Sequence, residues 1–296
     1  MRILVTGMNG QLGRELRAAN WPTGTELLAF DRDALDLGDV QTVAARVAKL
    51  APDVVVNAAA YTAVDRAEDE PEAAYRVNRD GPAALAPACA DVGAALLQVS
   101  TDYVFDGTKD SPWTPHDPVR PLGTYGASKA AGEDAVRTSL DRHVILRTAW
   151  VHAAHGHNFV RTMLKHGAQK DHLKVVGDQF SGPTAADDIA AALVVIADQI
   201  AEGREHWGTY HFCGAPTASW YDFAQAIFDR AQPVWGRRPE VTRITSAEWP
   251  TPVSRPANSA LDCTSLKTDY GIEQPDWRAR LTAIVARLVA SHEGKV

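Results

Sequence analysis

The stretch Arg2-Ile3-Leu4-Val5-Thr6-Gly7-Met8-Asn9-Gly10-Gln11-Leu12-Gly13 decides the fold. A short apolar run stops at a glycine, and two more glycines follow at three-residue spacing before an amphipathic segment at 11–19. Glycines between a strand and a helix permit a tight turn, let the backbone approach a pyrophosphate, and allow close helix–strand packing. The helix that follows turns its free N–H groups and positive dipole end towards the phosphates. The spacing is GxxGxxG, where GxGxxG is commoner. Gly7, Gly10 and Gly13 are therefore candidate cofactor-binding residues because they sit at the first strand–helix junction of an alternating chain.

That alternation runs outward from the loop. Strand-like apolar runs fall at 2–7, 26–31, 53–59, 95–100 and 143–148, with helical patterns between them at 11–19, 39–50, 72–91 and 124–139. Near-continuous apolar strands alternating with helices imply a parallel sheet covered on both faces. Beyond residue 150 the rhythm loosens. Helical patterns recur at 159–168, 187–201, 220–230 and 276–291, separated by Pro- and Gly-rich stretches such as SGPT at 181–184 and WPTPVSRPA at 249–257. The expected fold class is α/β: a Rossmann-type doubly wound parallel sheet with a smaller C-terminal substrate-binding lobe. Residues 1–150 form the dinucleotide-binding domain, with a return segment near 184–204, and 151–296 belong mainly to the lobe.

With 296 residues, 45% of them hydrophobic, the chain can bury a core of that size. A net charge of −7 supplies no general attraction to nucleic acid or to an anionic membrane, so neither is expected as a partner. Cys89, Cys213 and Cys263 are odd in number and scattered, which fits a reducing compartment. No apolar run approaches the roughly 18 residues of a membrane span, and MRILVTG opens as a strand, not as a basic-then-apolar leader. The expected location is the cytoplasm.

Asp31 ends the second strand, eighteen residues after Gly13. A carboxylate there accepts hydrogen bonds from the adenosine ribose and repels a 2′-phosphate. Arg32 follows at once and can pair with that phosphate. The two signals compete, so use of both NADH and NADPH is expected.

Tyr125-Gly126-Ala127-Ser128-Lys129 opens a helix, and an i, i+4 pair shares one helical face. Reducing a ketone leaves an alkoxide that must receive a proton, and a free phenol, of pKa about 10, is a sluggish acid near neutrality. A lysine cation about 4 Å away is worth roughly 4 kcal/mol at an effective dielectric of 20, enough to lower the phenol by up to about three. Ser100-Thr101-Asp102-Tyr103 ends the fourth strand, where side chains of an open parallel sheet face a ligand. Thr101 is the hydroxyl best placed to hydrogen-bond a substrate carbonyl.

These segments together resemble the extended short-chain dehydrogenase/reductase family: GMNGQLG, NAAAYTAVD after the third strand, STDYVFDG and YGASK. Further matching segments are RTAWVH (147–152), NFVRTML (158–164), DQFSGPT (178–184) and TPVSRPANSAL (251–261), so the resemblance spans about 1–261. It implies NAD(P)H-dependent reduction of the C4 ketone of a nucleotide-linked deoxysugar. Gly10, Gln11 and Leu12 would cradle the pyrophosphate, with Asp36 and Leu37 near the adenine. Ala60, Tyr61, Thr62 and Val99 would line the cofactor cleft. Tyr125 would donate the proton, with Lys129 its partner, holding also the nicotinamide ribose, and Thr101 the helper. Asp102, Tyr103 and Trp150 would hold the sugar, and Asn158 and Arg255 would meet the nucleotide diphosphate. Some relatives pair as homodimers through a metal such as Mg2+. Glu15 and Asp187 resemble the acidic positions involved, but Arg287 stands where a third acid would fall, so no metal is assigned. His152, His155 and His157 lack a nearby Cys or acid at ligand spacing and read as a loop, not as a zinc site. Two other readings share these motifs. One is an epimerase or dehydratase that recycles bound NAD; dehydratases usually place an acidic pair beside the threonine, where this chain has Asp102 and then Tyr103. The other is a non-catalytic regulatory subunit resembling that of methionine adenosyltransferase.

Overall fold

Side chains alternate across a strand, so a strand buried on both faces must be apolar at every position. Val54, Val55 and Val56 meet that condition and are fully buried. The computed structural model describes residues 1–293. Six strands form the main sheet: β1 (Arg2–Thr6), β2 (Glu26–Phe30), β3 (Val54–Asn57), β4 (Ala95–Thr101), β5 (His143–Thr148) and β6 (Gly208–His211). Their order is β6-β5-β4-β3-β1-β2, all pairings parallel, with Ile3 beside Val54 and Leu97 beside Val144 in the register. From β1 the chain passes to β2 on one side and later to β3 on the other. The strand order reverses there, which opens a crevice at the carboxyl ends of β1 and β3.

Helices cover both faces. On one, Ile3, Val5, Val56 and Leu97 pack against Leu12 and Leu16 of α1 (Gln11–Ala18) and Ile189, Leu193 and Ile196 of a helix from the second half. On the other, Leu4, Val55, Leu96 and Ile145 meet α2 (Val40–Leu50), α3 (Gly81–Val92) and α4 (Thr124–Ser139). The expected doubly wound α/β fold is what the chain forms.

Three local departures have physical causes. The pattern at 72–91 is not one helix: a short helix, Pro71–Tyr75, passes through a wide π segment, Arg76–Asp80, before α3 begins. The extra residue in that turn points Asn78 inward, where it bonds Tyr61 N (2.8 Å), Tyr61 O (3.0 Å) and the Ser128 hydroxyl (3.0 Å). The chain also stays with the sheet beyond 204. After α6 (Ala186–Ala201) it adds β6, whose sequence GTYH is too short and polar to read as a buried strand. Lastly, α7 (Trp220–Trp235) continues past residue 230 and through Pro233 before Gly236 ends it at φ +66°.

The lobe is a second core. Here α5 (Phe159–Gln169), α7 and α8 (Trp277–Glu293) pack through Val160, Leu164, Phe223, Ile227, Phe228, Leu281 and Val285. A two-stranded parallel ribbon, His172–Val176 with Glu240–Ile244, edges it. Among the described residues no helix is long and apolar enough to cross a membrane.

Candidate active site

The glycine loop is shaped by what it cannot hold. Gly7 has φ +72°, and a Cβ on it would lie 2.8 Å from the Ala59 backbone. A Cβ on Gly13 would stand 2.1 Å from the Gly7 carbonyl oxygen. Both contacts are with backbone, so only hydrogen fits at either position. Helix α1 carries no acid in its first turn, which leaves its positive end uncompensated towards the loop. Beneath it, Thr6 donates to Asn57 Oδ1 (2.6 Å) and Asn57 Nδ2 donates to Gln98 Oε1 (2.7 Å), a buried ladder bracing the ends of β1, β3 and β4. Sequence reading missed Asn57 and Gln98, whose signal was a polar residue inside an apolar run. A cradle without side chains, facing an uncompensated helix end, fits a pyrophosphate.

From this loop a cleft of about 870 Å³ runs along the sheet edge. Asp31, Arg32, Asp36 and Leu37 line it after β2; Ala60, Tyr61 and Thr62 line it after β3, and Val99 from β4. Asp31 accepts from Ala34 N (3.0 Å) and Asn9 Nδ2 (3.3 Å), while Arg32 reaches Asp36 at 3.4 Å with most of its side chain in solvent.

At the far end Thr101, Tyr125 and Lys129 come together. Tyr125 stands edge-on to Tyr103, ring centroids 5.7 Å apart. Lys129 Nζ donates to the Val99 carbonyl (2.7 Å), since a buried ammonium takes the nearest acceptor. Burial brings Lys129 down to about 8, against the opposing pull of Glu133. Burial likewise pushes Tyr125 up to about 12, and Asp102 adds to this while the Thr101 hydroxyl works the other way. Below Lys129, Glu133 holds the fully buried Arg147 through two bonds (2.9 and 2.7 Å) and is kept ionised against its own burial. The direction is the reverse of the lowering expected from the sequence: the phenol is a weaker acid here than a free tyrosine.

Aromatic rings form the opposite wall. Trp150, held at φ +46°, stacks on Trp220 with centroids 3.4 Å apart, and Phe159 leans on Trp220 at 4.5 Å. Trp220 and Phe159 line the same cleft as Trp150. Neither was read from sequence as a site residue, because each sits at the head of an amphipathic helix, where a core role is the plain expectation.

Other expected contacts are spent internally. Asn158 caps α5 through Oδ1 (Arg161 N, 3.1 Å), and its amide bonds Gln11 Oε1 (2.7 Å) and two backbone carbonyls. Arg255 pairs with Asp65 (2.8 Å) and with the Val253 carbonyl. Asp102 turns its carboxylate inward onto Thr101, Ser181 and Ser259. Glu15 faces His155 at 3.3 Å, and Arg280 reaches Asp187 at 3.6 Å. His152 is buried, bonds the Trp150 carbonyl and is pushed down to about 4 by burial.

The description "RmlD substrate binding domain" matches residues 1–290. The chain belongs to that family. It is 46% identical to a dTDP-4-dehydrorhamnose reductase of Aggregatibacter actinomycetemcomitans, over 96% of this chain and 98% of that one. Among solved structures, it resembles a dTDP-4-dehydrorhamnose reductase of Clostridium acetobutylicum at 39% identity and TM-score 0.90, covering 97% of this chain and 99% of that one. A Bacillus anthracis dTDP-4-dehydrorhamnose reductase in complex with NADP matches at 32% identity and TM-score 0.89, covering 96% and 98%. The family bears out the resemblance read across about residues 1–261, and its match extends to residue 290.

Proposed function

We propose that this chain reduces the C4 ketone of dTDP-4-dehydro-L-rhamnose to dTDP-L-rhamnose, using NADH or NADPH. One observation carries the reading: Thr101, Tyr125 and Lys129 line one cleft together with Gly7, Gly10, Gln11 and Leu12 of the glycine loop. The reduced nicotinamide supplies the hydride when bound. The chain's residues do the rest. Gly10, Gln11, Leu12 and the head of α1 take the pyrophosphate; Asp31 or Arg32 meets the adenosine ribose, and Asp36 and Leu37 the adenine. Ala60, Tyr61, Thr62 and Val99 shape the cleft, and Lys129 exchanges its carbonyl partner for ribose hydroxyls.

The ketone oxygen takes its proton from Tyr125 Oη. Trp150, with Tyr103, covers the deoxysugar, where a large ring gains apolar contact. Asp102 is the third residue that the resemblance gives to the sugar, and it lines the same cleft. Of the two candidates for the diphosphate, Arg255 remains available once it leaves Asp65, whereas Asn158 is committed to its cap. We assign the protein to the cytoplasm, supported by three free cysteines, of which Cys213 and Cys263 lie with sulfurs 3.9 Å apart. The resemblance alone supports a homodimer; sedimentation tests it.

The deciding experiment follows cofactor absorbance with purified protein and dTDP-4-dehydro-L-rhamnose. One NAD(P)H oxidised per sugar is expected. Isomerised sugar without net oxidation would replace the reductase by an epimerase. Bound cofactor without any turnover would leave a regulatory subunit.

A further inference from the structure

Helix α4 carries Tyr125 on its first turn, yet its own sequence supplies no cap for that turn. Its N-cap is Gly123, which has no side chain to accept from the free N–H groups, and its first turn holds no acid. The missing acceptor comes from 56 residues away. Glu68 takes the Thr124 N–H on Oε1 at 2.7 Å and the Thr124 hydroxyl on Oε2 at 3.0 Å. The approach is close enough to demand the glycine. A Cβ on Gly123 would lie 2.8 Å from Glu68 Oε1 and 2.4 Å from Val253 Cγ2.

Glu68 sits on a short turn of helix, Arg66–Asp69, that follows the cleft-lining segment at 60–62. The turn is braced at both ends. Asp65 before it accepts from Arg255 at 2.8 Å, and Glu70 after it accepts from the Tyr61 hydroxyl at 2.7 Å and from Arg66 at 2.6 Å. On its other side the first turn of α4 rests on backbone, since a Cβ on Gly126 would stand 2.2 Å from the Tyr103 carbonyl oxygen. The Tyr125 carbonyl accepts from Ser128 Oγ at 2.8 Å, and Asn78 Nδ2 donates to that hydroxyl at 3.0 Å. The peptide behind Tyr125 is thus fixed from within the fold, and the one ahead of it depends on Glu68.

We propose that Glu68 is a positioning residue for Tyr125: its two-point hold on Thr124 sets where the first turn of α4 begins, and with it where the phenol meets the ketone oxygen. This rests on the reading of Tyr125 as proton donor. A proton donor must come within about 2.6–3.2 Å of the atom it serves, and an ångström of displacement costs up to roughly a hundredfold in rate. Glu68 is exposed, so water screens its charge. Its contribution is the geometry of two hydrogen bonds and not a field on the phenol.

The test compares single and paired variants in the reductase assay, with amide hydrogen exchange as a second readout. Glu68→Ala removes both bonds and should lower kcat roughly tenfold, while KM for the sugar and cofactor affinity stay within about twofold. Glu68→Gln keeps an oxygen for the Thr124 N–H and offers an amide to its hydroxyl, so it should restore most of that loss. Asp69→Ala, which removes a neighbouring exposed charge from the same turn, should leave kcat as it is. In a Tyr125→Phe background Glu68→Ala should cost nothing further, because residues that act through one step do not add. Amides in the first turn of α4 should exchange faster in Glu68→Ala and at the wild-type rate in Glu68→Gln. An unchanged kcat beside faster exchange would make Glu68 a structural cap only, which overturns the proposal. So would a full further loss in the Tyr125→Phe background, or a Glu68→Gln variant as slow as Glu68→Ala. If wild-type protein oxidises no cofactor with the sugar, the reductase reading fails, and exchange alone then decides whether Glu68 holds the head of α4.

Discussion

The floor and the wall of the cleft are built by opposite means. The floor is backbone and short polar groups: the Gly7–Gly13 loop, the Thr6–Asn57–Gln98 ladder, Thr101 and the start of α4. All of it hangs from the ends of parallel strands whose spacing is set by main-chain hydrogen bonds. The wall is three large rings, Trp150, Phe159 and Trp220, brought from separate segments and held by packing. A proton donor misplaced by an ångström loses its rate, so the chemistry sits on the rigid side. Apolar contact with a sugar tolerates such shifts, so substrate shape can be handled by the softer side.

The comparison breaks most clearly through turnover. Tyr125→Phe should lower kcat by about two to four orders of magnitude, the usual reach of a positioned acid, and leave cofactor affinity intact by fluorescence titration. Loss of the phenol's polar end leaves the edge-on ring contact with Tyr103, so folding should survive. Wild-type-like turnover would remove the chemistry from the floor altogether.

A second substitution breaks the floor at its other end. Gly13→Ala sets a methyl 2.1 Å from the Gly7 carbonyl, and neither neighbour is a flexible side chain. Cofactor affinity should drop at least about tenfold, or 1.4 kcal/mol. Binding of the nucleotide sugar, measured by calorimetry without cofactor, should stay as it was. Equal loss of both ligands would mean that the loop supports the whole cleft.

How much of this was legible in the sequence follows the same division. The floor is local: Gly7 to Gly13, Ser100 to Tyr103 and Tyr125 to Lys129 each place their groups by one turn of chain, so spacing alone reveals them. The serine contacts of Asp102 were not legible, because Ser181 and Ser259 lie far along the chain and only the folded lobe brings them to β4. Lys129 shares its helix with Tyr125, but i, i+4 spacing says nothing of the Val99 carbonyl that it bonds. Asn158 shows the converse: a polar residue in a family motif that local structure uses as a cap.

The wall should yield a smaller, differently shaped effect. Trp150→Ala and Trp220→Ala should each raise KM for the sugar nucleotide by about tenfold while kcat and cofactor affinity change little, the signature of lost uniform binding. Trp220→Ala is the sharper case, because that ring supports Trp150 face-on at 3.4 Å and its indole N–H is tied to Gln179 (3.2 Å). A fall in kcat as large as that of Tyr125→Phe would show that the wall, too, orients the reacting atoms.

The smallest effect belongs to the choice of cofactor. Asp31 would favour NADH by accepting from the ribose, yet its two oxygens already take Ala34 N–H and Asn9. Arg32 would favour NADPH, yet its side chain is 72% exposed, and its contact with Asp36 is a long 3.4 Å. Charges in water are screened, and exposed pairs contribute about 1 kcal/mol or less. Neither residue can therefore dominate, and the efficiencies with NADH and NADPH should differ by less than about tenfold. Asp31→Ala removes repulsion from the 2′-phosphate and should tilt the ratio towards NADPH. Arg32→Ala should tilt it towards NADH, and more so at low ionic strength, where the cation is less screened. If Arg32→Ala leaves the NADPH efficiency untouched at low salt, Arg32 is a surface charge, and Asp31 alone sets the ratio.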